Sequence, residues 1–184
     1  MKATHVAVLV GLVLPGAAAL AQSAQATSPY AGQQSRRIKA MSEDEVQGYL
    51  DGRGVGLALP AELNHYAGPR HALDLADSLK LTATQRKQLR DIYDPMHARA
   101  LALGRQLVDI ETAIDSAFAT RQMTAPKLGK LLRESARVTG ELRLTHLEAH
   151  LRVFPLLTPA QVKEYDRLRG YDGATVHNHT GHEP

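Results

Sequence analysis

Apolar residues recur every three or four positions along two long stretches of the chain, as on one face of an α-helix. These stretches predict helices over roughly residues 84–120 and 126–154. Only a short turn at 121–123 separates them, so we expect the two helices to pack antiparallel as a hairpin. Pro95 predicts a bend early in the first helix. The expected contact residues are Tyr93, Met96, Ala100, Leu103, Leu107, Ile110, Ile114 and Ala117, facing Leu128, Leu131, Ser135, Val138, Leu142, Thr145 and Ala149.

The second long helix also carries an apolar stripe on the side opposite to these contacts. One hairpin cannot bury both faces, so a partner subunit, the N-terminal segment or a client protein must cover the stripe. A buried interface is one interpretation. An exposed capture surface, rimmed by Arg143, Glu148 and Arg152, is the other. The residues of this apolar stripe are Leu144, Leu147, Leu151 and Phe154.

Helix starts are marked by capping signals. The phrase Leu-Thr-x-x-Gln occurs twice, at residues 81–85 and 157–161. In each copy the threonine can accept a bond from a free N–H of the first turn, and the glutamine can reach back to the cap. Ser42 and Glu45 predict a further short helix ending near Leu50. Residues 69–80 read as another short helix, while 51–56 read as a glycine loop and 57–69 as an irregular apolar segment packed across the helices.

The N-terminus has the pattern of a secretion signal. A short apolar run follows Lys2, and Ala19-Leu20-Ala21 fits a cleavage site, so we expect an exported, periplasmic protein. A second cleavage site after Ala26 and an uncleaved anchor are the alternatives. No later apolar run is long enough to span a bilayer, which predicts no stable membrane insertion. The expected parts are a signal peptide at 1–21, a disordered segment at 22–41, a helical domain at 42–170 and a flexible tail at 171–184.

The two Leu-Thr-x-x-Gln phrases, placed at the two ends of a helical hairpin behind a signal peptide, resemble the LTxxQ-motif family of bacterial envelope proteins. That family includes Spy- and CpxP-like periplasmic stress chaperones and metal-responsive proteins. The resemblance covers residues 69–171. It implies an all-α fold, a bent hairpin with short flanking helices, assembled as a homodimeric cradle that binds unfolded envelope proteins without ATP.

Composition narrows the choice of functions. The chain has no cysteine, so disulfides and thiol catalysis are excluded. No hydrolase, zinc-protease or nucleotide-binding motif is present, and we expect no enzyme activity. The formal net charge is only +3, and the two signs are mixed along the helices, which argues against nucleic-acid binding.

Histidines are the residues that could bind a cofactor. His146 and His150 lie four positions apart on one helix, within reach of a shared Zn²⁺, Cu²⁺ or Ni²⁺. A closed site needs further ligands, for which His71, His97 or a second subunit could serve. The alternative is a pair of solvated or interface histidines. Three tail histidines could bind a metal weakly or could simply be solvated; they are His177, His179 and His182.

Two functions therefore remain open, beside a third interpretation as a structural interaction protein with neither activity. The first is an ATP-independent stress chaperone that captures unfolded envelope proteins. The second is a periplasmic sensor or buffer for a divalent metal, which would use the helix and tail histidines and signal to a membrane-bound sensor protein. Both are compatible with a homodimer.

Overall fold

The protein is all-helical throughout the part of the chain that the structure describes. This computed structural model describes residues 28–172. All regular elements between those residues are helices, which confirms the predicted all-α class. The chain divides after Gly32 into two units, and the helices belong to the second. They are α1 (Glu43–Leu50), α2 (Leu59–Glu62), α3 (Pro69–Asp74), α4 (Ala83–Ala119), α5 (Ala125–Val153) and α6 (Pro159–Arg169), with single 3₁₀ turns at Gln33–Ser35 and Phe154–Leu156.

The two long helices, α4 and α5, lie within one residue of their predicted bounds at each end. They pack against each other, and polar pairs follow the contact. Ser135 donates to Glu111 at 2.6 Å, and Arg99 pairs with Glu141. Helix α4 continues through Pro95 without ending, and the predicted bend there stays a prediction. Thr124 caps α5 by accepting a bond from the N–H of Lys127.

Both Leu-Thr-x-x-Gln phrases form complete capping boxes at the first turns of α4 and α6. The structure adds a contact that capping alone does not require. The side-chain amide of Gln85 lies 2.8 Å from Oε1 of Gln161 and also donates to the carbonyl of Leu156 at 2.8 Å. In return, Gln161 donates to the carbonyl of Leu79 at 3.2 Å. The two phrases therefore bind each other and fix the start of α6 beside the start of α4.

The apolar core consists of two clusters along the α4–α5 pair. The first lies beside the Leu-Thr-x-x-Gln phrases and includes Leu89, Val153 and Tyr165. The second lies between α1, α4 and α5 and includes Leu107 and Leu142. Gly104 makes the second cluster possible, because a Cβ there would stand 2.1 Å from the carbonyl oxygen of Tyr49 at the end of α1.

The segment before α1 is more ordered than predicted. We expected disorder over residues 22–41, but Ile38 and Met41 are buried in the second cluster. Lys39 between them pairs with Asp115 of α4 at 3.0 Å. Two apolar side chains three positions apart anchor this stretch, so the prediction of disorder is wrong for residues 33–41. Because the preceding residues are polar, the sequence pattern did not reveal that these two side chains are buried.

Helix α3 is shorter than predicted, because it ends at Asp74 rather than near Lys80. The chain turns instead, with Lys80 at a φ of +50° and the N–H of Leu81 bonded to the carbonyl of Ala76 at 3.0 Å. This turn places Leu79 and Leu81 in the first core cluster just before α4 begins.

The segment 57–69 contains α2 and lies partly against α5, as expected of an apolar segment that crosses the helices. The glycine loop before it carries positive φ angles at Gly52 and Gly56, as its composition predicted. No helix described between residues 28 and 172 combines the length and the apolarity needed to cross a bilayer. The predicted signal peptide and the tail histidines His177, His179 and His182 lie outside the described residues.

Candidate functional site

A buried carboxylate lies at the end of α2. Glu62 is only 6% exposed. Its oxygens receive bonds from the hydroxyls of Tyr165 at 2.5 Å and Tyr171 at 3.1 Å, and from Nε of Arg169 at 3.3 Å. Nδ1 of His71 lies 3.3 Å away. Helices α2, α3 and α6 thus meet at one carboxyl group, which makes Glu62 the centre of a polar network inside the fold.

The network keeps Glu62 ionised. Burial alone would raise the pKa of its carboxyl, but hydrogen bonds from His71 and Tyr165, with the charges of His71 and His150, outweigh burial and hold the pKa at about 2. Burial and the adjacent Glu62 carboxylate raise the pKa of the Tyr165 hydroxyl. That hydroxyl also accepts a bond from the N–H of Gly68 at 3.3 Å, so it links both ends of the segment between α2 and α3.

His150 faces this network from α5. The ring is only 6% exposed, and its Nδ1 lies 2.7 Å from the carbonyl oxygen of Tyr66. A carbonyl can only accept, so Nδ1 carries a proton, and Nε2 is the ring nitrogen left to contact a ligand in the cavity. Nε2 lies 3.2 Å from the position that a Cβ on Gly68 would occupy, and Oε2 of Glu62 lies 3.4 Å from the same position.

His146 lies one turn earlier on the same face of α5 and is 7% exposed. Burial, followed by the charges of His150 and His97, lowers the pKa of its imidazole to about 4. Nε2 of His146 is buried and has no hydrogen-bond partner among the described residues. The other edge of the ring lies 3.5 Å from the position that a Cβ on Gly54 would occupy. His146 is therefore a neutral, buried imidazole with an unused nitrogen.

These groups line one cavity of about 460 Å³. Its wall includes the carboxylate of Glu62. Two glycines of the wall leave room for histidines, Gly52 for His97 and Gly68 for His150, while Gly54 lies at ordinary contact distance from His146. The further histidine of the wall is His71. Neutral imidazoles and a carboxylate are the donors that Zn²⁺, Cu²⁺ and Ni²⁺ take in proteins.

The donors are close to one another but are not arranged as a finished metal site. Within residues 28–172, no group of three or more histidine, aspartate or glutamate side chains is placed to hold an ion. The structure brings the predicted pair His146 and His150 to the wall of one cavity. A third ligand would have to move into place.

The opposite face of α5 carries the apolar stripe. Leu144 is 47% exposed, Leu151 61% and Phe154 48%, while Leu147 is half-buried. The ring of Tyr66 stacks on Phe154 with centroids 4.5 Å apart. The segment between α2 and α3 thus covers one end of the stripe, and the rest faces outward in the described part of the chain.

Sequence reasoning found the histidines of this region and missed the carboxylate that organises them. Glu62 stood in a segment interpreted only as irregular and apolar, and Tyr165 and Arg169 as ordinary helix residues. A charged residue among apolar ones, as in the run Leu-Pro-Ala-Glu-Leu at 59–63, was the available signal.

Comparisons with known proteins do not extend this description. No protein-family model matches the chain, and neither a curated protein nor a solved structure does. The assignment to the LTxxQ-motif family therefore rests on the two capping phrases and their spacing, and it stays a prediction.

Proposed function

We propose that the protein is a periplasmic, ATP-independent stress chaperone, and not an enzyme, that captures unfolded envelope proteins on the apolar stripe. The observation that carries this proposal is the exposure of Leu144, Leu151 and Phe154 on a helix whose other face is packed. Grouped apolar side chains at a surface are typical of interaction sites.

The surroundings of the stripe fit reversible capture. Arg143, Glu148 and Arg152 are exposed beside it. Charges of both signs next to apolar side chains favour contact with many partly folded chains over tight binding to one. They also limit self-association. The proposed quaternary arrangement is a homodimer in which the α4–α5 pairs, as bent antiparallel hairpins, form a cradle.

Aggregation of a reduced model client, followed by light scattering, tests the proposal. The mature chain should suppress aggregation without added metal or ATP, and Leu144→Ser/Leu151→Ser should lose most of that suppression. Leu132→Ser is the matched control, because Leu132 is equally exposed on α5 but lies outside the stripe.

Equal suppression by all three proteins would exclude the stripe as the capture surface. The molar mass of each protein in solution must be measured in parallel. If the double variant turns a dimer into a monomer that suppresses aggregation fully, the stripe is the subunit interface instead.

A second candidate function is a sensor or buffer for a divalent transition metal, signalling to a membrane-bound sensor protein. The observation that favours it is the unpartnered Nε2 of His146 in the wall that His150 and Glu62 share. Calorimetric titration with Zn²⁺, Cu²⁺ and Ni²⁺ tests it, using the mature chain, His146→Ala/His150→Ala and a chain ending at Gly173. Submicromolar binding that only the double variant abolishes would support a helix site. If binding is lost in the chain ending at Gly173 and kept in the double variant, a helix site is excluded.

A further inference from the structure

We name the segment from Glu62 to Gly68 the strap. Polar contacts join it to α6 at both ends and in the middle. Tyr165 of α6 donates to Glu62 and accepts from the N–H of Gly68. Between these ends, Nδ1 of His65 lies 2.8 Å from the carboxylate of Asp166. The strap also forms part of the cavity wall through Glu62 and Gly68.

In the middle of the strap, Tyr66 contacts both α5 and the 3₁₀ turn that follows it. The carbonyl oxygen of Tyr66 lies 2.7 Å from Nδ1 of His150, at the cavity. The ring of the same Tyr66 stacks on Phe154, at the end of the apolar stripe. Tyr66 thus connects the imidazole that borders the cavity with a side chain of the proposed capture surface.

We propose that the cavity is a regulatory site for one divalent transition-metal ion, held by His146 and His150, and that Tyr66 transmits its occupancy to the apolar stripe. This inference rests on the proposed function, because it takes the stripe as the capture surface.

The bond to Tyr66 prepares His150 for such an ion. A metal-binding histidine commonly donates its second ring N–H to a carbonyl or carboxylate, which fixes the ring and its tautomer. His150 has this arrangement, with Nδ1 toward the carbonyl of Tyr66 and Nε2 toward Gly68. His146 supplies the second imidazole from the adjacent turn.

Glu62 is the side chain whose movement would link binding to the strap. Because no three donors are in place, two histidines and an ion still lack a further protein ligand. The carboxylate nearest to His150 is that of Glu62, with Oε2 3.8 Å from Nδ1. An ion that recruits Glu62 competes with Tyr165 and Arg169 for its oxygens, and so pulls on the first residue of the strap. Tyr66 lies four residues further along, against Phe154.

The first experiment measures Zn²⁺ affinity by calorimetry and the exposure of the stripe by bis-ANS binding. It uses the mature chain with the tail histidines replaced, His177→Ala/His179→Ala/His182→Ala, so that the tail cannot contribute to the response. Saturating Zn²⁺ should change the bis-ANS dissociation constant by about fivefold, a usual size of coupling between two sites.

Tyr66→Ala separates binding from transmission, because it removes the ring and keeps the backbone carbonyl. We expect unchanged Zn²⁺ affinity with loss of the bis-ANS response. Phe118→Ala, which removes an exposed ring on α4, is the matched control and should keep both. Absence of Zn²⁺ binding, or a Zn²⁺ response in Tyr66→Ala equal to that of the parent, would overturn the inference. Aggregation suppression without metal tests the chaperone proposal separately.

A glycine pair gives a second test. A Cβ on Gly68 would stand 2.9 Å from Cε1 of His150, whereas a Cβ on Gly140 of α5 would meet nothing within 4 Å. Gly68→Ala should therefore weaken Zn²⁺ binding by about tenfold or more, the usual effect of disturbing a metal-bound histidine. It should also alter bis-ANS binding in the absence of metal, and Gly140→Ala should do neither. Parent-like behaviour of Gly68→Ala would exclude the cavity as the metal site.

Discussion

The two faces of α5 reverse the usual distribution of polarity in a surface helix. One face buries His146 and His150 beside an ionised glutamate, while the other leaves Leu144 and Leu151 exposed. Stability alone would favour the opposite arrangement, since a buried ionisable group costs free energy and an exposed leucine contributes little. The two proposals above would account for the difference, since they assign a small polar ligand to one face and an apolar partner to the other.

Removing the carboxylate from the buried face should have the largest effect on the free energy of unfolding. Glu62→Ala leaves the Tyr165 hydroxyl and the Arg169 guanidinium without their acceptor, so we expect the free energy of unfolding to fall by about 4 kcal/mol. Urea denaturation at pH 7 measures it. Glu62→Gln keeps an acceptor for Tyr165 and should lose less. A loss below about 1 kcal/mol for the alanine variant would show that the network does not hold the buried face together.

Substitutions at two leucines allow the packing on the two faces of α5 to be compared directly. Leu142 is fully buried and Leu151 is 61% exposed. Leu142→Ala should lower the free energy of unfolding by about 3 kcal/mol, and Leu151→Ala by no more than about 0.5 kcal/mol. A large loss for Leu151→Ala in a protein whose molar mass is that of a dimer would show that a subunit covers the stripe.

Lowering the pH should reduce the free energy of unfolding in two separate steps, both through groups on the buried face. The pKa of His146 is about 4 in the folded state against 6.5 in the unfolded chain, so the unfolded state binds more protons between these values. Stability should therefore fall as pH drops from 6.5 to 4, by about 3 kcal/mol at most. The lowered pKa of Glu62 adds a further loss between pH 4.5 and about 2.

Denaturation at a series of pH values separates the two steps. His146→Leu should abolish the upper step and leave the lower one. Glu62→Gln should do the reverse. An unchanged upper step in His146→Leu would assign that titration to another group.

A small effect of the opposite sign should come from the exposed side of α5. Gly140→Ala fills open space and favours the helix, so we expect the free energy of unfolding to rise by about 0.7 kcal/mol. Gly104→Ala on α4 is the contrast, because its Cβ would overlap the carbonyl oxygen of Tyr49. Thermal unfolding of both variants checks the direction. Destabilisation by Gly140→Ala would mean that this side of the helix is packed against something in solution.

The sequence predicted the helices well because their signals are local. The capping boxes and the periodic apolar positions set the ends of α4 and α5 to within one residue. Two errors, at α3 and at residues 33–41, arose where tertiary contacts decide the local structure. Leu79 and Leu81 turn the chain into the core after Asp74, and Ile38 and Met41 order a segment whose surroundings are polar.

The candidate site was predictable only in part, because its residues come from distant positions. His146 and His150 share a helix, so their spacing revealed them. Glu62 meets Tyr165 across 103 residues, and no periodicity or motif joins the two positions. The partners of each histidine are equally non-local, as the contact of His150 with Tyr66 across 84 residues shows.

The bond between the two glutamines has a consequence for the order of folding. Gln85 and Gln161 lie 76 residues apart in sequence, so their contact closes a long loop and requires α5 to have returned along α4 first. The contacts between α4 and α5 near their connecting turn involve far shorter loops. We therefore expect α4 and α5 to associate early and α6 to dock last, so that the cavity and the strap are completed only in the final step of folding.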